Sequence, residues 1–514
     1  MGLPTGPHGV KELVKTRCEG AWRAFPSLQA AREAQGADPS QACCILDGNV
    51  LVRQVPTSAN SFESYVSIFQ RFVEQALRAA NTVVVVFDEP KDVSRAKAAE
   101  QARRDAQAKK SSIQMSVDLA DSFAPTTDNY DFEVATTANP HEVMRSRAAR
   151  PRLFDTICKY TMTTLMLNPK SAHASKVLVF DGIDARGASR PFDEAREPAM
   201  YSNDDRVASL LTRPTGTPIV AEGDLKLTDL ESEIQFLRDS GRCFESIELM
   251  LISTIDTDSI AIELMHQSAK NAARHSPPLE GQRTPPRTLL CFREAPSRKR
   301  KQPQPQPEPS STCANADEAI LAELFGPEVP DPDRVRHGGG AGSGPATFAC
   351  FDVAALHASV VGQLRAPCGF HRHVTALLAA SWALCGSDFV HLKGMRADTV
   401  FDTITDLCTD SPGFVHSLRH MEASWEIRRD TDPKTVSLVR DKMVATILQV
   451  VEGTRDRLMT MPRMGKSVNS INAVLADDHE AKAALLKAAW VSVYWSGLQL
   501  PDEKLTEWGF EEKR

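Results

Sequence analysis

Acidic residues follow several predicted strands of this chain at the point where each strand ends. They are Asp47, Asp88 and the pair Asp256 and Asp258, with Glu222 and Asp224 just beyond a further short strand. In open α/β sheets ligands bind at the carboxyl edge of the strands, because connecting loops and helix starts converge there. Several carboxylates in one cleft repel one another unless a divalent cation neutralises their charge. Oxygen ligands without Cys or His indicate Mg²⁺ or Mn²⁺.

Each of these residues also has a purely structural explanation. Aspartates at strand ends commonly cap helices and form turns. Asp181 ends a strand too, and we interpret it as structural because no second acidic residue of the set depends on it. The metal-site hypothesis therefore depends on the cluster rather than on any single member.

The elements that must position the cluster are strands of a parallel sheet. Residues 42–46 and 83–87 are uninterrupted apolar runs, which are typical of strands buried on both faces. Apolar residues recur at helical spacing between them, so the segment reads as a βαβ unit. Further strands are predicted at 176–180, 218–221 and 249–253, with a helix between the last two. The sequence therefore predicts an α/β fold.

The composition changes twice further along the chain. Residues 276–346 are rich in Pro, Gln and Gly and predict a disordered insert, after which the pattern is almost entirely helical. The expected regions are 1–110 (N-terminal region), 111–175 (insertion), 176–272 (second half of the core), 273–346 (disordered insert), 347–410 (internal region) and 411–514 (helical C-terminal region).

Overall composition excludes several classes of protein. The 514 residues are 42% hydrophobic and 25% charged with a net charge of −7, so the chain is not a polycation that coats nucleic acid. Its 11 cysteines include no C-x-x-C pair and predict free thiols in a reducing compartment. No apolar run approaches the length of a membrane span, so we expect a soluble intracellular protein.

Six segments, in order, resemble the flap endonuclease and XPG-type 5′ nucleases, with the related 5′-to-3′ exoribonucleases. They are Met1-Gly-Leu-Pro4 with Gly9-Val-Lys-Glu-Leu-Val14, Ile45-Leu-Asp-Gly-Asn49, Val85-Val-Phe-Asp88 with the basic stretch after it, Ala221-Glu-Gly-Asp-Leu-Lys226, Ser253-Thr-Ile-Asp-Thr-Asp258 and Cys385-Gly-Ser-Asp-Phe389. The resemblance implies a PIN-like parallel central sheet flanked by helices, with a helical arch and a helix-two-turn-helix-like element.

The resemblance also implies a two-metal active site. Two Mg²⁺ ions, with Mn²⁺ as the alternative, would be held by Asp47, Asp88, Glu222, Asp224, Asp256, Asp258 and Asp388. Such a pair supports in-line hydrolysis of a phosphodiester bond.

Two departures from the family pattern stand out. The acidic pair before Asp256 can be Glu222 with Asp224 or Glu231 with Glu233, and we favour the first because it follows a strand directly. The hairpin after Asp388 is two residues shorter than the family pattern and lacks its second glycine.

A basic stretch follows Asp88. Residues 91–110 carry seven cations against three acidic residues, which also fits an ordinary solvated helix. The resemblance implies that this stretch forms an arch, in which Lys97, Arg103 and Arg104 stabilise charge on the scissile phosphate. The implied nucleic-acid contacts are Gly2, Lys91, Arg95, Lys226, Gly394 and Arg396. A second run of cations, residues 298–301, predicts a nuclear localisation signal or a solvated charge run.

Three functions follow from these patterns. The leading hypothesis is a Mg²⁺-dependent 5′ nuclease acting on DNA with a 5′ flap or a single-strand/duplex junction in replication and repair. The alternatives are a 5′-to-3′ exoribonuclease and a PIN-like nucleic-acid-binding or scaffold protein that does not cut. We expect a monomer without membrane contact, and residues 511–514 show no clear sliding-clamp peptide.

Overall fold

The computed structural model describes twelve parts of the chain. They are residue 3 and residues 9–87, 139–145, 150–183, 199–204, 223–273, 284–294, 347–367, 369–387, 389–422, 431–496 and 502–510. The side chains of residues 223–226 are outside the description, although their backbone is helical.

One eight-stranded sheet organises the described residues. Its strands are β1 (Trp22–Phe25), β2 (Ala42–Asp47), β3 (Thr82–Val86), β4 (Val177–Ile183), β5 (Ala199–Ser202), β6 (Leu249–Thr254), β7 (Arg287–Glu294) and β8 (Thr347–Asp352). The order across the sheet is β1-β8-β7-β6-β2-β3-β4-β5. Strands β7, β6, β2, β3 and β4 are mutually parallel, whereas β8 and β5 run antiparallel to their inner neighbours. The α/β prediction is confirmed.

Alternate residues of the strands supply two separate cores. In β2, Cys43 and Ile45 face one core while Cys44 and Leu46 face the other. Every residue of β2 and β6 is buried, as expected for strands covered by helices on both faces. The predicted strands at 42–46, 83–87, 176–180 and 249–253 are confirmed to within two or three residues at either end.

The described part of the chain contains fifteen α-helices. They are α1 (Val10–Arg17), α2 (Leu28–Glu33), α3 (Gly48–Gln54), α4 (Phe62–Ala79), α5 (Pro140–Arg145), α6 (Arg150–Met162), α7 (Gly223–Asp239), α8 (Asp258–Ala273), α9 (Val353–Gln363), α10 (His371–Leu384), α11 (Ala397–Asp410), α12 (Pro412–Ser417), α13 (Pro433–Thr460), α14 (Gly465–Leu475) and α15 (Asp478–Trp495). The helix predicted between the first two buried strands is α4, which begins after the capping residue Ser61.

Two expectations about the second half of the chain are wrong. Residues 287–294, expected in a disordered insert, form β7, an inner strand of the sheet with five consecutive buried residues. Residues 347–352, expected to be helical, form β8 instead. A short apolar run shows neither the helical nor the strand hydrophobic periodicity. These two runs also lie beside Pro- and Gly-rich sequence, so the composition of the region did not indicate strands. The rest of the predicted insert, residues 274–283 and 295–346, and the strand predicted at 218–221 lie outside the described residues.

The regular secondary structure in the described residues after 410 consists of helices only. Nine cysteines in the described ranges are free thiols, in agreement with the prediction. None of the helices in those ranges is long and apolar enough to cross a membrane.

Candidate active site

Asp47 is positioned by the junction between β2 and α3. It is the last residue of β2 and the N-cap of α3, and its Oδ1 accepts a hydrogen bond from the Val50 amide at 3.1 Å. Gly48 follows it because the chain passes the Phe87 ring too closely for a side chain. An ideal Cβ at position 48 would lie 2.7 Å from that ring. The local sequence therefore holds Asp47, which is 8% exposed, at the carboxyl edge of the sheet.

The carboxyl end of β6 lies next to Asp47. Leu46 pairs with Ser253 in the parallel register, so Thr254 and Asp47 come next on neighbouring strands. The Thr254 hydroxyl lies 3.5 Å from Asp47 Oδ2 and accepts the Asp256 amide N–H at 3.1 Å. One buried hydroxyl thus links the two predicted ligand segments.

Asp258 begins α8 at the same edge and contacts the start of the chain. The backbone amide of Leu3 donates to Asp258 Oδ1, and Thr257 Oγ1 donates to the Leu3 carbonyl at 2.6 Å. Leu3 is fully buried. The Asp258 amide lies 3.4 Å from Asp256 Oδ1, which orients the two aspartates of the pair relative to each other.

Helix α7 brings position 224 toward the same edge. Thr228 on α7 donates to Glu263 on α8 at 2.8 Å, and Ser232 lies 3.2 Å from His266. From the first contact to the second, the chain advances by about one turn along both helices, so the two helices run parallel. One turn before the first contact, position 224 of α7 therefore lies level with position 259 of α8. The α7 backbone therefore begins beside the first turn of α8, which carries Asp258.

Glu231, the first residue of the alternative acidic pair with Glu233, is located differently. Glu231 is 1% exposed and accepts hydrogen bonds from Lys270 at 2.6 Å and Thr288 at 2.5 Å. Although burial opposes it, the Lys270 ammonium holds the pKa of Glu231 below its ordinary value. Thr288 is the second residue of β7, so this cluster lies toward the amino edge of the parallel strands. The choice of Glu222 and Asp224 stays a prediction, because Glu222 and the side chain of Asp224 lie outside the described residues.

The connection between α10 and α11 carries the Gly-Ser-Asp segment. Gly386 has a φ of 138°, and the Ser387 side chain accepts the amides of Phe389 and Val390 at 3.3 and 3.2 Å. The Phe389 ring packs edge-on against Trp490 of α15, with centroids 5.0 Å apart. Both chain neighbours of Asp388 are therefore held by defined contacts.

The hairpin later in that connection packs against the C-terminal helices. Gly394 has a φ of 97°, and a Cβ there would lie 2.5 Å from the Ser467 carbonyl oxygen. Arg396 donates to Asp398 at 2.8 Å and lies 3.8 Å from the Met464 sulfur. Protein packing thus accounts for the glycine, and the nucleic-acid roles assigned to Gly394 and Arg396 stay predictions.

Much of the predicted site falls outside the described residues. These positions are Gly2, Asp88, Lys91, Arg95, Lys97, Arg103, Arg104, Glu222 and Asp388, together with the side chains of Asp224 and Lys226. Residues 298–301 are outside as well. Phe87 is the residue before Asp88 and follows the end of β3. Its backbone amide donates a hydrogen bond to the Asp181 carbonyl at 2.8 Å. Asp181 lies on β4.

The described part of the site offers carboxylate oxygens as metal ligands, and Mg²⁺ prefers oxygen ligands. Within the described ranges, no group of three or more His, Cys, Asp or Glu residues could hold a metal ion by itself. Asp47, Asp256 and Asp258 are three of the seven predicted ligands, and the side chains of the other four lie outside the described residues.

Two residues that sequence reasoning missed help to build the site. Thr254 links Asp47 with the Asp256 backbone, and Thr257 anchors Leu3. Both belong to Ser253-Thr-Ile-Asp-Thr-Asp258, where the alternation of Thr with Asp is the only sequence signal for them.

No protein-family model matches the chain, and a search of characterised proteins finds no match either.

Proposed function

We propose that this protein is a Mg²⁺-dependent 5′ nuclease that hydrolyses phosphodiester bonds of DNA at flaps or single-strand/duplex junctions, on a PIN-like variant of the α/β fold. One observation carries the proposal. Asp47 and Asp256, more than 200 positions apart, are linked through Thr254 at the carboxyl edge of adjacent parallel strands. Ligands bind at this edge in open α/β sheets.

The proposed ligand set consists of oxygen donors only. Asp47, Asp256 and Asp258 would bind Mg²⁺ together with Asp88, Glu222, Asp224 and Asp388. Mg²⁺ held by these residues would lower the pKa of a water molecule and stabilise the leaving oxygen. Val50 and Thr254 orient the Asp47 carboxylate, and the Leu3 amide orients Asp258. Hydrogen bonds of this kind orient the side chains that bind a metal ion.

The basic stretch after Asp88 has a separate role in the proposal. Lys97, Arg103 and Arg104 would neutralise charge that develops on the scissile phosphate, while Lys91, Arg95 and Lys226 contact the strand. The anchoring of Leu3 beside Asp258 supports a role for the chain start, including Gly2, in contacting the 5′ end of the substrate.

The test is cleavage of a 5′-labelled double-flap DNA with Mg²⁺ or with EDTA. We expect incision near the junction that requires Mg²⁺ and is lost in Asp47→Asn. Asp352→Asn is the matched control, because Asp352 also ends a strand and caps a helix, where it accepts the Ala355 N–H at 2.9 Å. It pairs with Leu289 near the amino end of β7, away from the proposed site.

Substrate class is decided in the same experiment. A matched 5′-phosphorylated RNA separates the DNA nuclease from the exoribonuclease. If neither substrate is cut under any divalent-metal condition, the nuclease proposal is wrong and the binding or scaffold function takes its place.

A further inference from the structure

Ile255 is the exposed residue of the loop that joins β6 to α8. It is 43% exposed, whereas Thr254 before it is 1% exposed and Thr257 after it is 3% exposed. All other residues from 249 to 260 are buried or half-buried. A large aliphatic side chain therefore meets solvent between two residues of the candidate site, Thr254 and Asp256.

Hydrogen bonds from the loop's own side chains hold Ile255 in this position. The Asp256 amide donates to Thr254 Oγ1 at 3.1 Å, so Ile255 is the middle residue of a tight turn. On the other side of that turn, Ser259 Oγ donates to the Asp256 carbonyl at 2.9 Å. The exposure of Ile255 is therefore built into an ordered loop.

The position of Ile255 matters more than its exposure, because isolated exposed apolar residues are ordinary on protein surfaces. None of the other exposed large hydrophobic residues in the described part of the chain lies in a connection from a strand to the helix after it. Ile255 lies in such a connection, at the carboxyl edge where Thr254 links Asp47 with Asp256. The other exposed residues are Leu167, Phe236, Leu438, Met459 and Met461.

The hydroxyl groups near Ile255 in the loop are already bonded within the protein. Thr254 Oγ1 accepts the Asp256 amide, and Thr257 Oγ1 donates to the Leu3 carbonyl at 2.6 Å. The surface that this loop offers to a bound substrate beside its carboxylates is therefore the aliphatic side chain of Ile255.

We propose that Ile255 packs against the sugar of the nucleotide next to the scissile phosphate and favours deoxyribose over ribose. The inference rests on the proposed function, which places that phosphate on cations held by Asp47 and Asp256. Consecutive Cα atoms are about 3.8 Å apart, so a side chain one residue from Asp256 is within reach of the sugar attached to the phosphate. Aliphatic contact suits the C–H groups of deoxyribose, but it would bury the 2′-hydroxyl of ribose without a hydrogen-bond partner.

The test compares substrates that differ by a single hydroxyl group. Double-flap DNA is made with one ribonucleotide at each nucleotide of the junction in turn. A ribonucleotide deep in the duplex serves as the substrate control. For the parent protein, the ribonucleotide beside the scissile phosphate is expected to lower kcat/KM by about 10-fold, and the one in the duplex should have no effect.

Two variants of nearly the same shape separate a sugar contact from a general effect on the site. I255V keeps an aliphatic side chain, whereas I255T has a hydroxyl in place of one methyl group of valine. I255V should keep the penalty of about 10-fold, and I255T should reduce it to about 2-fold. The Tm of both variants, measured alongside, separates misfolding from loss of the contact. No penalty in the parent, or an equal penalty in all three proteins, would overturn the proposal.

Binding supplies a readout that does not depend on cleavage. The Kd for the same substrates is measured by anisotropy with Ca²⁺, which also takes oxygen ligands, in place of Mg²⁺. The ribonucleotide should weaken binding to the parent and to I255V but much less to I255T. A parent protein that cuts nothing but shows this pattern in Kd would keep the sugar contact and reject the nuclease. Normal cleavage of all-DNA flaps with no difference between I255V and I255T would do the reverse.

Discussion

The Thr254 hydroxyl lies 3.5 Å from Asp47 Oδ2, although the two residues are 207 positions apart. The same hydroxyl accepts the Asp256 amide N–H, so a single buried side chain contacts both predicted ligand segments. Its removal tests the candidate site without changing any carboxylate.

Thr254→Val is expected to weaken metal binding while preserving the fold. Valine has nearly the same shape as threonine but cannot hydrogen-bond to either segment. Groups that orient metal ligands typically contribute about 10- to 100-fold to affinity or activity. The measurement is the Mg²⁺ concentration that gives half of the maximal rise in Tm. Thr254→Ser keeps the hydroxyl and should restore most of the effect, and a Val variant with parent Mg²⁺ affinity would remove Thr254 from the site.

Gly394→Ala is expected to destabilise the protein by about 1–3 kcal/mol, since the new Cβ meets the Ser467 backbone at a positive φ. Urea unfolding gives the free energy directly. Gly362→Ala is the control. Gly362 lies inside α9 with nothing within 4 Å of its Cβ position, so alanine there should stabilise by up to about 1 kcal/mol. Equal effects of the two substitutions would contradict the packing of the hairpin on α14.

Glu263→Gln is expected to change how stability depends on pH. Burial, and then the Glu231 carboxylate, raise the pKa of Glu263 to about 8. The unfolded chain releases this proton near pH 4.5, so the protonated folded form loses stability as pH rises from about 4.5 to 8. Glutamine stays neutral and avoids that loss, so the variant should gain a few kcal/mol over the parent at high pH.

Urea midpoints at about pH 4.5 and pH 8.5 check this prediction. The difference between variant and parent should be larger at the higher pH. A difference that is independent of pH would show that Glu263 is already ionised in the folded protein.

Phe389→Ala is expected to weaken both stability and the proposed metal site. Phe389 follows Asp388 and packs on Trp490 and Tyr494, with centroids 5.0 and 5.7 Å away. Loss of these ring contacts should cost about 1–3 kcal/mol and release one side of the Gly-Ser-Asp segment.

Phe510→Ala provides the comparison for that experiment. Phe510 contacts the same Trp490 at 5.0 Å but is not part of the Gly-Ser-Asp segment. Both variants should lower the free energy of unfolding, while only Phe389→Ala raises the Mg²⁺ requirement, measured by the Tm shift. Parallel changes in both quantities for both variants would limit Phe389 to a packing role.

Local sequence determined the central part of the fold. The runs around Ile45 and Ile252 are apolar without interruption, and that pattern is typical of strands covered on both faces. Since parallel strands end at a common edge, the amino-acid sequence by itself assigns the strand-end residues Asp47 and Asp256 to one region of the molecule.

Only the tertiary structure decided which residues meet there and which do not. Glu231 has the same local sequence signal as a ligand pair. Its hydrogen-bond partners, however, are Lys270 and Thr288, which lie 39 and 57 positions away in sequence and hold it toward the amino edge of the parallel strands. Strand β7 lies within low-complexity sequence and is specified by pairing with β6 and β8. The contact of Gly394 with Ser467 likewise joins segments whose local patterns are independent. Composition and periodicity report local preference and burial, whereas contacts between distant segments arise from packing of the whole chain.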